Sequence, residues 1–152
     1  MAARRYARTH VHQVEGFQHA QDDYWFQPVV FGKNLYTYVA TVPPGGIMLP
    51  HGHEEDPYEL SYFQIDGTLE VTLEGETFTV APGDAIHVEP GVSLGVHNIS
   101  PRAARFVLTF NPPTKTESVA SLRQWFAERG RRIKSAEEMK HMLGEPSEQS
   151  RR

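Results

Sequence analysis

Between Asn34 and Phe110 proline and glycine cut the chain into short runs of strand-like composition, and nothing there repeats at the 3.6-residue period of a helix. In the clearest pair, Leu69, Val71 and Leu73 alternate with Thr68, Glu70 and Thr72, then Glu74-Gly75 leads into residues 76–80. Glycine supplies the positive φ of a tight hairpin turn, so this pair predicts two antiparallel strands. Further strands are expected at residues 35–42, 47–51, 60–65, 84–88, 92–97 and 103–110. Breaks fall at Pro43-Pro44-Gly45-Gly46, Ala81-Pro82-Gly83 and Glu89-Pro90-Gly91, where proline withholds a ladder donor. Seven or eight short strands in about 80 residues leave edges and one face unprotected in a single flat sheet. The fold class expected is therefore all-β, a two-sheet jelly roll or small barrel.

The 152 residues suffice for one ordinary domain. After Asn111-Pro112-Pro113 the period changes. Val119, Leu122 and Phe126 recur at helical spacing with Trp125 widening the stripe, and Gly130 marks a stop, which predicts a helix near residues 117–129 packed outside the barrel. Ser135 and Glu138 form a capping box for a second short helix that Gly144 closes. The organisation expected is an N-terminal arm over 1–33, a barrel over 34–111, a helical extension over 112–144 and a disordered tail over 145–152. The Tyr24-Trp25-Phe26 cluster in the arm either covers a barrel end or swaps onto a partner subunit.

Fifteen basic against 19 acidic residues give a formal charge of −4, so electrostatics offers no reason to expect a nucleic-acid partner. No run approaches the apolar length of a membrane span, and the start leads into His10-Val11-His12 rather than a signal core, so no membrane partner and a cytoplasmic location are expected. The absence of cysteine excludes disulfides, iron–sulfur clusters and thiol nucleophiles. Any metal would be held by nitrogen and oxygen.

His51 and His53, one residue apart after Pro50, stand on the same side of an extended chain, and two imidazoles so placed can grip one divalent ion. Glu54, Glu55, Asp56 and Glu59 follow, and a carboxylate would complete a 2-His-1-carboxylate set with open positions for substrate or oxygen.

Gly45, five residues, His51, His53, Glu59 and Gly67 resemble the first signature of the cupin superfamily, with one extra residue on each side of Glu59. Counting back from Gly67 with the family spacing lands on Leu60, so Glu59 reaches a metal only across a bulge; otherwise Glu55 or Asp56 competes. The stretch from Gly83 through Pro90-Gly91 to Asn98 resembles the second signature, with Glu89 at a proline place and Leu94 where the third metal histidine stands. His87 is the better substitute for that histidine, and His97 should face the other way. The resemblance covers Gly45 to Asn98 and implies a cupin-like double-stranded β-helix or jelly-roll barrel with C-terminal helices.

It also implies a metal-dependent enzyme, a dioxygenase acting on a small organic substrate, with His51, His53 and Glu59 holding a divalent metal. Iron is the first expectation; manganese, nickel and zinc also suit the set. His51, His53, Glu59 and His87 are the candidate catalytic residues, and Tyr62, Gln64, Leu94 and Phe106 the candidate substrate contacts. On the last strand the inward set is either Phe106, Leu108 and Phe110 or their alternates. Such a mostly apolar pocket suits an aromatic diol, a keto acid or a diketone. The alternatives are a metal-free isomerase or lyase using histidine acid–base chemistry, and a non-catalytic small-molecule binder. A homodimer is expected from the resemblance and the Tyr24-Trp25-Phe26 cluster.

Overall fold

Short strands joined by tight turns do build a two-sheet structure. The computed structural model describes residues 5–19, 23–51, 57–113 and 118–142. Its strands are β1 (Gly16–Gln18), β2 (Trp25–Phe31), β3 (Tyr36–Val42), β4 (Ile47–His51), β5 (Glu59–Asp66), β6 (Leu69–Leu73), β7 (Glu76–Val80), β8 (Ala85–Val88), β9 (Leu94–His97), β10 (Ala104–Asn111) and β11 (Ile133–Lys134). Two helices, α1 (Val119–Glu128) and α2 (Ala136–Met142), flank β11. One sheet runs β11-β1-β2-β3-β10-β5-β8 and the other β4-β9-β6-β7.

Local chemistry explains the turns. Glu74 and Gly75 both adopt positive φ, 49° and 82°, the pairing that a two-residue hairpin between β6 and β7 requires. At Gly67 φ is +68° and a Cβ would lie 2.9 Å from the Ala103 carbonyl, so only glycine lets the end of β5 pass that close to β10. Ser118 caps α1 by accepting from the Ser121 amide, and Gly130 at φ +62° follows it. The capping box at α2 is formed: Ser135 Oγ accepts from the Glu138 amide at 3.1 Å and Glu138 Oε1 accepts from the Ser135 amide at 3.0 Å. The expected stop at Gly144 and the tail lie outside the described residues.

The segment read as an arm supplies two strands of the larger sheet. Phe17 pairs with Phe26 in β2 and with Ile133 in β11, so both chain ends join one sheet edge. Tyr24, Trp25 and Phe26 are all buried within the chain, and Phe17 and Phe26 pack on Phe126 of α1 at ring distances of 5.1 and 6.1 Å. The aromatic cluster is therefore spent covering its own barrel and gives no support to the homodimer expectation.

The core lies between the sheets. On β10 the inward set is Ala104, Phe106 and Leu108 with Phe110 half-buried, and on β5 it is Tyr62 and Gln64 with Leu60 half-buried. Register fixes this, because Phe106, Leu108 and Phe110 pair with Gln64, Tyr62 and Leu60, and residues directly opposite share a face. No helix among the described residues is long and apolar enough to cross a membrane.

Candidate functional site

Strand β4 carries the first histidine and shows why the chain reaches it as it does. Met48 pairs with Val96 and His51 with Leu94, three residues on one strand against two on the other, so one extra residue is accommodated between them. Pro50 lies in that irregularity, where it withholds a ladder donor. Gly95 makes room for it: a Cβ there would sit 2.6 Å from the Pro50 ring. His51 is described through its backbone, and His53, Glu54, Glu55 and Asp56 lie outside the described residues.

Beside this strand a cavity of about 290 Å³ opens between the sheets. Met48, Leu60, Val92, Leu94 and Leu108 form an aliphatic wall, and Tyr38, Tyr58, Phe110 and His19 an aromatic one, with Gly91 at the rim. Phe110 meets Tyr38 and Tyr58 edge-on at 5.4 and 5.9 Å, which holds three rings as one surface. His19, just past β1, packs edge-on against Tyr24 at 5.0 Å. The Tyr38 hydroxyl is 2.7 Å from that of Tyr24. Burial raises both phenols well above the ordinary tyrosine value, so they remain neutral hydrogen-bonding groups.

Of the expected substrate contacts, Leu94 lines this cavity. Tyr62, Gln64 and Phe106 face inward and are fully buried, and their groups are engaged in the core. Tyr62 stacks on Phe106 at 4.4 Å, and its hydroxyl donates to Gln64 Oε1. The Gln64 amide nitrogen donates to the carbonyls of Asp66 and Gly67, both at 3.0 Å, tying down the turn after β5.

The two remaining site residues stand on the other side of the sheet. Glu59 lies one residue from Leu60 on a strand that alternates without interruption from Asn111↔Glu59 to Phe106↔Gln64, so the bulge that would turn Glu59 inward is missing and Leu60 takes the cavity position. The single irregularity of that pair falls farther along, between Arg105 and Phe106. His87 pairs directly with outward-facing Ser61, and its side chain is 57% exposed. It therefore does not replace the third metal histidine beside Leu94. Glu59 and His87 meet on the outer face, with Nε2 2.6 Å from Oε2, and Glu89 approaches Nδ1 at 3.8 Å. The Glu59 hydrogen bond, joined by the charge of Glu89, raises the His87 pKa above its ordinary value. His97 also lies on an outer face, half-buried and 4.0 Å from Glu70.

Glu59 projects away from the cavity and meets His87 on the outer face, while His53 and the side chain of His51, the other two members of the expected set, lie outside what the structure describes. The third and fourth positions implied by the resemblance are filled on the cavity wall by Leu94 and Leu60, which have no donor atom. Glu59, His87 and Glu89 do bring three ligand atoms within 4.8 Å of one another, a group able to hold a divalent metal on the exterior. Sequence reasoning missed His19, Tyr38 and Tyr58 as cavity residues. Period-two alternation along β3 could have placed Tyr38 inward beside Tyr36 and Ala40, whereas nothing local points His19 at the cavity.

Comparison with known proteins agrees with this architecture. The cupin domain family matches residues 38–110. A crystal structure of an RmlC-like cupin from Shewanella frigidimarina is 19% identical with a TM-score of 0.62, covering 72% of this chain and 94% of that one. The polyketide cyclase RemF from Streptomyces resistomycificus is 21% identical with a TM-score of 0.62, covering 78% and 93%. KdgF from Halomonas sp. is 23% identical with a TM-score of 0.57, covering 65% and 87%. No curated protein matches the chain. The barrel described above, with its paired strands and inward aromatic residues, has the cupin fold, and the match of the cupin domain family over residues 38–110 supports a place in the cupin superfamily.

Proposed function

We propose that this cupin domain takes a small, largely apolar molecule bearing one or two oxygens into the cavity between its sheets, and that it does so with no metal held inside that cavity. The observation that carries this reading is the wall itself. Leu60 and Leu94 occupy it where ligands for an ion are implied by the resemblance, and Tyr38, Tyr58 and Phe110 supply flat surface opposite. A volume near 290 Å³ suits a molecule about the size of a substituted single ring. Tyr38, whose hydroxyl is hydrogen-bonded to that of Tyr24, brings a neutral phenol to the wall, and His19 brings an imidazole suited to metal-free isomerase or lyase chemistry.

Titration of the full chain with an aromatic diol, a keto acid, a diketone and an oxygenated polyketide fragment, followed by tryptophan fluorescence and thermal shift, tests the proposal. At least one should bind saturably. Leu94→Trp, which fills the cavity, and Phe110→Ala, which removes a wall, should each weaken that binding by about tenfold or more, about 1.4 kcal/mol. Unchanged affinity in both variants, or no binding by any probe, would overturn the reading.

A metal-dependent oxygenase is the second reading, and the pairing of His51 with Leu94 favours it, since it brings the first-signature strand alongside a cavity residue. An ion there would supply Lewis acidity and open positions for dioxygen. Untagged His87→Ala protein purified without chelator, in which the outer Glu59–His87–Glu89 cluster is broken, should carry far less than one iron, manganese, nickel or zinc per chain if the first reading holds, and close to one if the second does. We also propose a homodimer through the outer face of the larger sheet, where Phe63 and Ile65 stand 44% and 37% exposed beside half-buried Val107.

A further inference from the structure

On the outer face of the same sheet, Glu59 at the start of β5, His87 on β8 and Glu89 just beyond it bring three ligand atoms within 4.8 Å of one another, Glu59 beside Nε2 of the imidazole and Glu89 beside Nδ1. Their side chains are 55%, 57% and 70% exposed, so no packing demand of the core holds them together. One imidazole nitrogen and two carboxylate oxygens form a mixed nitrogen–oxygen donor set that suits zinc and neighbouring transition ions better than magnesium or calcium, which take oxygen ligands.

A second observation points to a cation at the same place. His87 and Glu89 line a concave, solvent-facing pocket of about 390 Å³ together with Glu74 and Glu76 from the β6–β7 turn. Three carboxylates thus surround one imidazole there, and no lysine or arginine lines the pocket among the described residues. Like charges so grouped lower the potential and favour a cation over an anion. Val92 is a wall of both this outer pocket and the inner cavity, and Gly91 lines the latter. On the other strand Glu59 lies between Tyr58 and Leu60, which also line the cavity.

We infer that Glu59, His87 and Glu89 form a surface site for a zinc-class divalent cation, which ties the start of β5 to the segment after β8 and so fixes two sides of the cavity rim. The ion is held outside the cavity, by residues other than the first-signature histidines. The inference goes beyond the proposed ligand binding and stands or falls separately from it.

Isothermal titration of untagged, chelator-stripped full chain with zinc chloride tests it, with magnesium chloride as a control. One saturable zinc equivalent per chain should be lost, or weakened about tenfold or more, in each of Glu59→Gln, His87→Ala and Glu89→Gln, and kept in the His51→Ala/His53→Ala double variant. All three single changes are at exposed positions, so folding is not at stake. Zinc should also shift the backbone amide resonances of Gly91 and Val92 in wild-type protein and leave them in place in His87→Ala. The inference is overturned if no saturable zinc binding occurs, if it persists unchanged in the three single variants, or if only the double variant abolishes it.

Discussion

Leu60 and Glu59 are neighbours in the chain and stand on opposite faces of β5: Leu60 walls the cavity, while Glu59 meets His87 across 2.6 Å on the outside. This one-residue alternation separates the ligand cavity from the polar cluster behind it. Chemistry expected at one centre is divided between an apolar interior and an exposed, charged exterior.

The stacked pair Tyr62 and Phe106 holds the larger sheet to the core. Phe106→Ala should cost about 3–5 kcal/mol, since a fully buried ring leaves a cavity behind. Tyr62→Phe should cost less, about 1–3 kcal/mol, because it leaves the Gln64 carbonyl without its donor. Urea unfolding measures both, and equal losses would mean that the Tyr62–Gln64 hydrogen bond matters as much as the ring.

The capping box of α2 predicts a pH dependence. The Ser135 backbone amide and hydroxyl beside Glu138 lower its carboxyl pKa from the ordinary value. A lowered folded-state pKa contributes stability that is present above the unfolded value and lost as pH falls through the folded one. The Glu138 carboxyl resonance should therefore titrate below an ordinary glutamate, and Ser135→Ala should move its midpoint upward. A midpoint that does not respond to Ser135→Ala would refute the hydroxyl's share and leave the Ser135 backbone amide, which alanine keeps, as the cause.

The proposed homodimer is tested by light scattering on the full chain. The expected mass is twice the 17.2 kDa of one chain, and Phe63→Lys, which places charge on the outer sheet face, should return it to one. A monomer in the wild-type protein, or a dimer unaffected by Phe63→Lys, contradicts that interface.

Much of the barrel was legible because period-two alternation and glycine turns are local signals. The β6–β7 hairpin and the α2 capping box each need only a few adjacent residues to specify them, whereas alternation along β10 left open whether Phe106, Leu108 and Phe110 or their alternates turn inward, which the pairing with β5 fixes. Counting back from Gly67 likewise indicated Leu60 rather than Glu59 as the inward residue. The face of His87 was not legible, because a four-residue strand takes its orientation from the pairing His87↔Ser61, which is remote in sequence. The same holds for β1: three residues pair with β2 on one side and β11 on the other, and only that assembly carries His19 to the cavity. The irregularity at Pro50 is visible as a proline, but its effect on the His51–Leu94 pairing depends on the partner strand and on the space left by Gly95.

The most direct test is a crystallographic map of the full chain, grown with zinc and the best-binding oxygenated guest, with diffraction recorded on both sides of the zinc absorption edge. The account predicts guest density against Leu94, Tyr38 and Phe110 and an anomalous peak between Glu59, His87 and Glu89. An anomalous peak inside the cavity, ligated from β4, with no guest density against Leu94, would contradict it.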